Sequence, residues 1–305
     1  MKKNIIITGG SGQDAQILAK ILQKKKYKVY CFYNNKKPVI QKKITYIKQN
    51  LSSKKKLDIF FSKIKPNIVI HFAAHNPSFS EISKNKFYKK NFNSTKNIFF
   101  TVFRSNQKAK FIFCSSSQIF LKTQKKVSEK SKITASTDYT KFRIESDQLM
   151  LKFKNKEKIN YTNAILFNHD SIYRNEKFLL PRIVKALIKK NHKFLNYIIN
   201  KNISSDFSHA EDICYGIYKI IISKHNLDKV ILSSGKYTKI NNIIKFLINK
   251  YNIDLKLNFK KIKINPTVVG NNNLAKKKLL WSHKKNIYIA TDEIYKFFIK
   301  NLKSK

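Results

Sequence analysis

Lys3 to Leu22 reads KNIIITGGSGQDAQILAKIL, and no other stretch restricts the fold of this chain as tightly. An apolar run, Ile5 to Ile7, gives way to Gly9, Gly10 and Gly12, and apolar residues resume at helical spacing with Ile17, Leu18, Ile21 and Leu22. That pattern is a strand, a tight turn and a helix. The turn has the spacing G-x-x-G-x-x-A, from Gly9 through Gly12 to Ala15. Glycine is needed there because the turn demands unusual backbone angles, and because a Cβ would hold the amides away from a pyrophosphate at the helix N-terminus. Three of the 6 glycines in the whole chain fall in this turn, so the pattern points to a dinucleotide-binding unit.

The following segments continue the same rhythm. Strands are predicted at Lys28 to Tyr33, Ile44 to Ile47, Ile68 to Phe72 and Lys110 to Cys114, and helices at Lys54 to Ile64, Ser83 to Arg104 and Tyr139 to Phe153. Pro66 closes the first of these helices. In the second, Phe87, Phe92, Thr95, Ile98, Phe99, Val102 and Phe103 share a face and are expected in the core. Alternating strands and helices give an α/β fold, a Rossmann-type doubly wound parallel sheet that takes ligands outside the carboxyl ends of its strands. Ala73 and Ala74 end the fourth strand with small side chains that let backbone pass beside a cofactor. The second strand ends in Asn34, Asn35, Lys36 and Lys37, where an acid would bind a ribose 2′-hydroxyl and a base suits a 2′-phosphate. NADP is therefore the expected cofactor, with Lys36 beside its phosphate.

Composition limits the alternatives. A chain of 305 residues with 42% hydrophobic and 13% aromatic content fills a core and is not disordered. No apolar run approaches the roughly 18–20 residues of a membrane span, and the first strand begins too early for a signal peptide, so a cytoplasmic location with no membrane partner is expected. Cys31, Cys114 and Cys214 lie far apart without metal-ligand spacing, and no metal site is predicted. Lys+Arg 64 against Asp+Glu 17 gives a net charge of +47, which ordinarily suggests a polyanion. Yet only Arg104, Arg143, Arg174 and Arg182 are arginines, and the lysines are scattered among Asn, Ile, Phe and Tyr, all encoded by A/T-rich codons. A compositional origin follows, with no specific nucleic-acid partner.

At the carboxyl ends of the strands lie the hydroxyls. Ser116 follows the fifth strand, Tyr139 opens a helix, and Arg143 stands one turn along from Tyr139 on the same face. A serine, a tyrosine and a neighbouring cation form a proton-transfer set for oxidising an alcohol: the cation favours phenolate and the serine holds the substrate oxygen. Alone the Y-x-x-x-R pair means little; the glycine turn upstream gives it weight.

Several segments together resemble the extended short-chain dehydrogenase/reductase family and, within it, the GDP-mannose 4,6-dehydratases. TGGSGQD (Thr8 to Asp14) is similar to the family's TGxxGQDG, and IVIHFAAHN (Ile68 to Asn76) to its fourth strand and Ala-Ala turn. NFNSTKNI (Asn91 to Ile98) resembles N-x-x-G-T-x-N-L, ILFNHDS (Ile165 to Ser171) resembles ILFNHES, and DFSHAED (Asp206 to Asp212) resembles DWGHAKD. The closing PTVVGNNNLAKKKLLW (Pro266 to Trp281) is similar to the family's last motif. The resemblance implies an NADP-binding Rossmann domain over residues 1–167, rejoined by about 203–232, and a smaller α/β substrate lobe over 168–305. It implies a lyase of nucleotide-sugar metabolism that converts GDP-mannose to the 4-keto-6-deoxy sugar by a redox loop, in which the tyrosine takes the C4 hydroxyl proton and a glutamate the C5 proton. It further implies Ser116 and Tyr139 as catalytic residues, and Gly9, Gly12, Gln13, Asp14, Asn50, Leu51, Ala73, Ala74, His169 and Arg174 at the cofactor. Asn168, Arg182 and Asn200 fall at substrate positions, and pairing through the two long helices into a homodimer or homotetramer is expected.

The sequence departs from that pattern at informative places. Gln118 replaces the glutamate, and a neutral amide cannot accept a proton. Arg143 replaces a lysine, keeping the charge in a bulkier planar fork. Ser205 and Asn265 replace arginines, and Asn50 replaces an aspartate facing adenine. Three readings stand: a dehydratase, impaired or not; a ketosugar reductase or nucleotide-sugar epimerase, which needs no carboxylate at position 118; or a protein that binds cofactor and nucleotide sugar without chemistry.

Overall fold

The computed structural model describes residues 3–75, 87–121, 126–259 and 267–303. In chain order these form β1 (Asn4–Thr8), α1 (Gln13–Lys24), β2 (Lys28–Tyr33), β3 (Ile44–Lys48), α2 (Lys54–Ile64), β4 (Ile68–His71), α3 (Tyr88–Ser105) and β5 (Lys110–Ser116). There follow β6 (Lys126–Val127), α4 (Asp138–Glu157), β7 (Asn160–Leu166), β8 (Asn168–Asp170), α5 (Leu179–Ile188), α6 (His192–Asn200), β9 (Ser204–Ser205), β10 (Phe207–His209) and α7 (Ala210–Ile222). The chain ends with β11 (Lys229–Leu232), β12 (Thr238–Lys239), α8 (Ile240–Lys250), β13 (Val269–Gly270), α9 (Asn273–Leu279) and α10 (Ile287–Lys303). Residues 83–86 of the expected second long helix lie outside the described residues, as do Asn76, Asn265 and Pro266.

Seven strands form one parallel sheet in the order β11-β7-β5-β4-β1-β2-β3. The chain winds outward from β1 to β3 and then crosses back to β4, so the strand order reverses between β1 and β4. A crevice opens at that reversal, where the turns after β1 and β4 diverge. Because both faces are covered, the strands read as unbroken apolar runs whose residues alternate between two cores. Ile5, Ile7, Ile112 and Cys114 join α1 and α7 on one face, whereas Ile6, Phe111, Phe113 and Tyr161 join α2, α3 and α4 on the other. The aromatic face of α3 is largely as expected, with Thr95, Ile98, Phe99, Val102 and Phe103 buried. Phe87 differs: it precedes the helix and stacks on His75, ring centroids 3.5 Å apart.

A third core unites α5, α6, α8 and α10. Two buried carboxylates organise nearby backbone. Asp206 accepts hydrogen bonds from Ser234 N and Oγ, Gly235 N and Gly270 N, at 2.6 to 3.1 Å. Asp212 accepts from the amides of Lys284 and Lys285, and its carbonyl accepts from Trp281 Nε1 at 3.0 Å. Asp206 and Asp212 of DFSHAED therefore tie chain segments together.

One buried polar chain fixes β1, β4 and α3 at the crevice. His71 Nδ1 lies 2.8 Å from Thr8 Oγ1, and His71 Nε2 lies 2.9 Å from Thr95 Oγ1. Thr8 Oγ1 also accepts from Ala73 N at 3.1 Å. A neutral ring with its proton on Nε2 satisfies every contact. Burial, reinforced by the Arg143 charge, pushes this imidazole down to about 3. Its folded value is depressed, so its contribution to stability is full above the unfolded value near 6.5 and is lost as pH falls toward 3. The ring nitrogens should show a neutral imidazole at pH 5 by NMR. Between pH 7 and pH 5 this group should cost about 2 kcal/mol of stability in urea unfolding. A His71→Asn variant should be less stable at pH 7 and depend less on pH over that range; an unchanged pH slope would refute the assignment.

Candidate active site

Gly9 has φ +74°, and a Cβ there would approach Ala73 N to 3.1 Å. Gly10 was not singled out by the G-x-x-G-x-x-A spacing, yet it makes the closest approach: its amide donates to Phe32 O at 2.7 Å, and a Cβ would meet Cys31 Cβ at 3.0 Å. Gly12 caps α1 with no side chain, so the first-turn amides have no side-chain acceptor and suit an anionic group. These glycines, with Ala73 and Ala74, keep side chains out of the crevice, and that is the fit a dinucleotide pyrophosphate requires.

Two cavities flank Ala74, which lines both. The first, about 280 Å³, is walled by Tyr33, Asn34, Asn35, Gln49, Asn50 and Leu51 on one side and by Ala73, His75, Phe87, Lys90 and Asn91 on the other, with Gly9 at its base. It has the position of an adenosine site, and no carboxylate lines it. Asn50 and Leu51, expected at the cofactor, line this cavity. Lys36 does not: the wall is made by Asn34 and Asn35, and Lys36 lies exposed beyond them.

The second cavity, about 310 Å³, contains Ser116, Gln118, Tyr139, Arg143, Asn168, His169 and Arg174 together with Asp14, Cys114 and Ser115. β5 ends in Ser116, whose Oγ accepts from Gln118 N and so turns the chain at the sheet edge. Thr137 begins α4 with a reciprocal capping pair to Thr140, which sets Tyr139 on the cavity side of the first turn. Arg143, one turn on, is buried against the rings of Phe113, Tyr139 and Phe142, 4.7 to 5.4 Å from their centroids. Its Nη1 donates to Cys114 O and its Nη2 donates to Tyr139 Oη at 3.2 Å. The spacing placed these two side chains on one face, but not the guanidinium against the β5 backbone.

Asp14 and His169 join the start of α1 to β8. His169 Nε2 lies 2.9 Å from Asp14 Oδ1 and Nδ1 lies 2.5 Å from Phe167 O, so both nitrogens face acceptors, which favours the protonated ring. Burial lowers the His169 value, but the Asp14 charge outweighs it and holds the imidazole above its usual range. Burial likewise raises Asp14, and the His169 charge and hydrogen bond overcome it, leaving the carboxyl below its usual range. Gln13 donates to both Asp14 Oδ1 and His169 O, and Ser171 Oγ donates to Gln13 Oε1. Arg174 Nε lies 3.0 Å from Asp170, and its guanidinium covers the Phe178 ring at 3.7 Å.

The other expected substrate residues separate. Asn168 lines the cavity and donates to Ser205 Oγ at 2.7 Å. Arg182 stacks on Phe194 and Asn200 lies exposed at the end of α6; neither lines the cavity. Asp138, beside Tyr139, is outside it as well, and His75 belongs to the adenosine-side cavity. Asp14 is thus the only carboxylate among the described residues of the second cavity, and it is held in the pair with His169. Among the described residues no group of His, Cys, Asp and Glu is arranged to hold a metal, and no helix is long and apolar enough to cross a membrane.

Known proteins agree with this architecture. A GDP-mannose 4,6 dehydratase 2 from Caenorhabditis elegans is 22% identical over 262 residues, covering 77% of this chain and 67% of that protein. A UDP-glucose 4-epimerase from Thermotoga maritima, solved with UDP-glucose, superposes with a TM-score of 0.84 at 17% identity over 98% of this chain and 99% of that one. The Brucella ovis UDP-glucose 4-epimerase in complex with NAD gives a TM-score of 0.82 at 16% identity, covering 97% and 98%. The sheet order and crevice described above are therefore those of a Rossmann-type extended short-chain dehydrogenase/reductase. Residues 6–289 match the profile of the GDP-mannose 4,6 dehydratase family, and the chain belongs to that family.

Proposed function

We propose that this protein holds a nicotinamide dinucleotide across the crevice and exchanges hydride between it and a secondary alcohol of a nucleotide sugar, GDP-mannose being the first substrate to test. The observation that carries the reading is the meeting of Ser116, Tyr139 and Arg143 in one cavity beside the glycine turn, with Arg143 donating to the phenol oxygen. The dinucleotide, when bound, supplies the hydride acceptor and donor. Ser116 orients the alcohol oxygen, Tyr139 takes its proton, and the guanidinium steadies the negative charge left on the phenol oxygen. Arg143 donates directly to Tyr139 Oη, and its second bond, to Cys114 O, holds the guanidinium in place. His169, Arg174 and Asn168 face the cavity from the smaller lobe and suit the polar end of a sugar nucleotide.

Elimination across C5 and C6 asks for more. A 4,6-dehydratase needs a base at C5, Gln118 is not one, and the pair with His169 occupies Asp14. This favours a second reading, a ketosugar reductase or 4-epimerase, in which proton exchange at one carbon suffices. Loss of chemistry altogether is the remaining outcome.

NADP is the proposed cofactor because no carboxylate lines the adenosine-side cavity, so nothing there opposes a 2′-phosphate. Calorimetric titration should give tighter binding of NADP than of NAD; equal or reversed affinities would remove the argument. Gly12→Val should abolish binding of both, since its side chain enters the turn against Gly9 O.

Tyr139→Phe should lower hydride exchange by about 10² to 10⁴, followed by the absorbance of reduced cofactor. Gln118→Glu should raise the yield of 4-keto-6-deoxy product from labelled GDP-mannose at least roughly tenfold by restoring a base. Fast elimination by the unmodified protein would show that another group serves as the base. An inert Gln118→Glu variant with full cofactor occupancy would favour binding without chemistry.

A further inference from the structure

A third cavity of about 450 Å³, within the range of small-molecule sites, lies between α1, α7 and the segment after β8, away from the crevice. One flank of α1 lines it, with Ile17, Lys20, Ile21 and Lys24 recurring at helical spacing. Opposite stand Tyr215 of α7, Ile172 and Tyr173 after β8, and Lys284 ahead of α10. The wall therefore combines apolar surface, two phenol rings and three ammonium groups.

The three acids of this cavity have local partners, and one further cation, Lys285, stands beside two of them, so that the four ammonium groups exceed the three carboxylates. Glu211 pairs with Lys285 Nζ at 2.6 Å, Glu293 lies 2.9 Å from His209 Nε2, and Asp212 accepts two amides at 2.6 Å. His209 Nδ1 accepts from Glu211 N, so its proton sits on Nε2 and the ring is satisfied while neutral. Lys20, Lys24 and Lys284, by contrast, enter no ion pair among the described residues. Three unpaired ammonium groups around an apolar, aromatic-flanked floor ask for a ligand with a flat apolar body and a multiply charged anionic end. We infer that this groove binds a nucleoside phosphate, its base against Ile17, Ile21 and Ile172 and its phosphate among Lys20, Lys24 and Lys284.

Hydrogen bonds also link the groove to the crevice. Ser171 lines it and donates to Gln13 Oε1 at 2.9 Å; Gln13 in turn donates to Asp14 Oδ1 and His169 O, and both of those residues line the second cavity. A ligand that shifts the Ser171 segment thereby acts on the start of α1, where the dinucleotide reading places the pyrophosphate. By linkage the cofactor must act equally on the ligand.

The probe is guanosine monophosphate, titrated by calorimetry into wild type, Lys20→Glu/Lys24→Glu and Arg174→Ala. All three substituted residues carry charge outside the hydrophobic cores, and only Arg174 lines the second cavity. Reversal of two charges beside a phosphate should weaken the groove phase at least roughly tenfold, whereas Arg174→Ala should leave it intact. Wild-type affinity in the double variant would overturn the site. Inorganic phosphate binding as tightly as the nucleotide would overturn the nucleoside part. Guanosine monophosphate should also change the NADP affinity of wild type at least roughly threefold and not that of the double variant; no change in wild type would overturn the coupling. Binding at the groove is read without turnover, so an inactive enzyme leaves this test standing.

Discussion

The hydrogen-bonded knot of Gln13, Asp14, His169 and Ser171 holds the two halves of this protein in register. It joins the first turn of α1 to residues more than 150 positions away, immediately after β7. Its central pair is buried, with His169 only 9% exposed and Asp14 18% exposed. Removal of one partner from such a pair leaves an uncompensated charge and costs several kcal/mol, about 3–5 for a fully buried pair. The knot sets the distance between the glycine turn, which serves the dinucleotide reading, and the β7–β8 segment, which carries Asn168 and His169 into the second cavity. The GQD and FNHD segments are thus one structural unit.

Much of this was legible in the sequence for simple reasons. Parallel strands covered on both faces are unbroken apolar runs, and the helices between them keep a 3.6-residue period, so element type and order followed from pattern. The glycine turn was legible because glycine is so scarce here. Ser116, Tyr139 and Arg143 could be brought to one cavity from the sequence because strand ends and helix periodicity fix which side a residue faces, whereas Gln118 was singled out by the family resemblance. Direction beyond Cβ was not accessible. The Arg143 guanidinium turns inward to Cys114 O, which depends on the shape of the Phe113, Tyr139 and Phe142 rings around it. Lys36 was placed by its distance from the glycines, but β2 runs straight only as far as Tyr33, and the cleft takes Asn34 and Asn35 instead. Phe87 carried the right period for a core face and yet sits just before the helix begins. The chain from Thr8 through His71 to Thr95 went unnoticed, because buried polar residues on three separate elements leave no periodic trace.

The lysine excess is partly absorbed by local geometry. Lys65 and Lys158 occupy the left-handed C-cap positions of α2 and α4, with φ +44° and +53°, where glycine is the usual residue. Lys26, Lys43 and Lys190 also have positive φ. A left-handed backbone costs a non-glycine residue roughly 1–2 kcal/mol. A cation at a helix C-terminus returns part of that through the dipole and the orphan carbonyls, typically about 0.3–1 kcal/mol. With 6 glycines in 305 residues the chain has few alternatives. A lysine count is therefore a poor guide to a polyanion partner here, and unpaired ammonium groups around a defined cavity are a better one.

Charge balance in the second cavity bears directly on the chemistry. Asp14 is opposed there by Arg143 and Arg174, with His169 paired to it, so the lining is net positive. A positive, partly desolvated site stabilises a phenolate and attracts a diphosphate, and both favour proton and hydride exchange at an alcohol carbon. Asp14 shows that a carboxylate stays ionised there, held below its usual range, against burial, by the His169 charge and hydrogen bond, so that a glutamate at position 118 could accept a proton where the amide cannot. Gln118 fits such an environment, since its amide keeps the size and hydrogen-bonding reach of glutamate without adding a charge. On the proposed reading the cavity therefore serves the redox exchange at the alcohol, and elimination depends on a base that residue 118 does not supply.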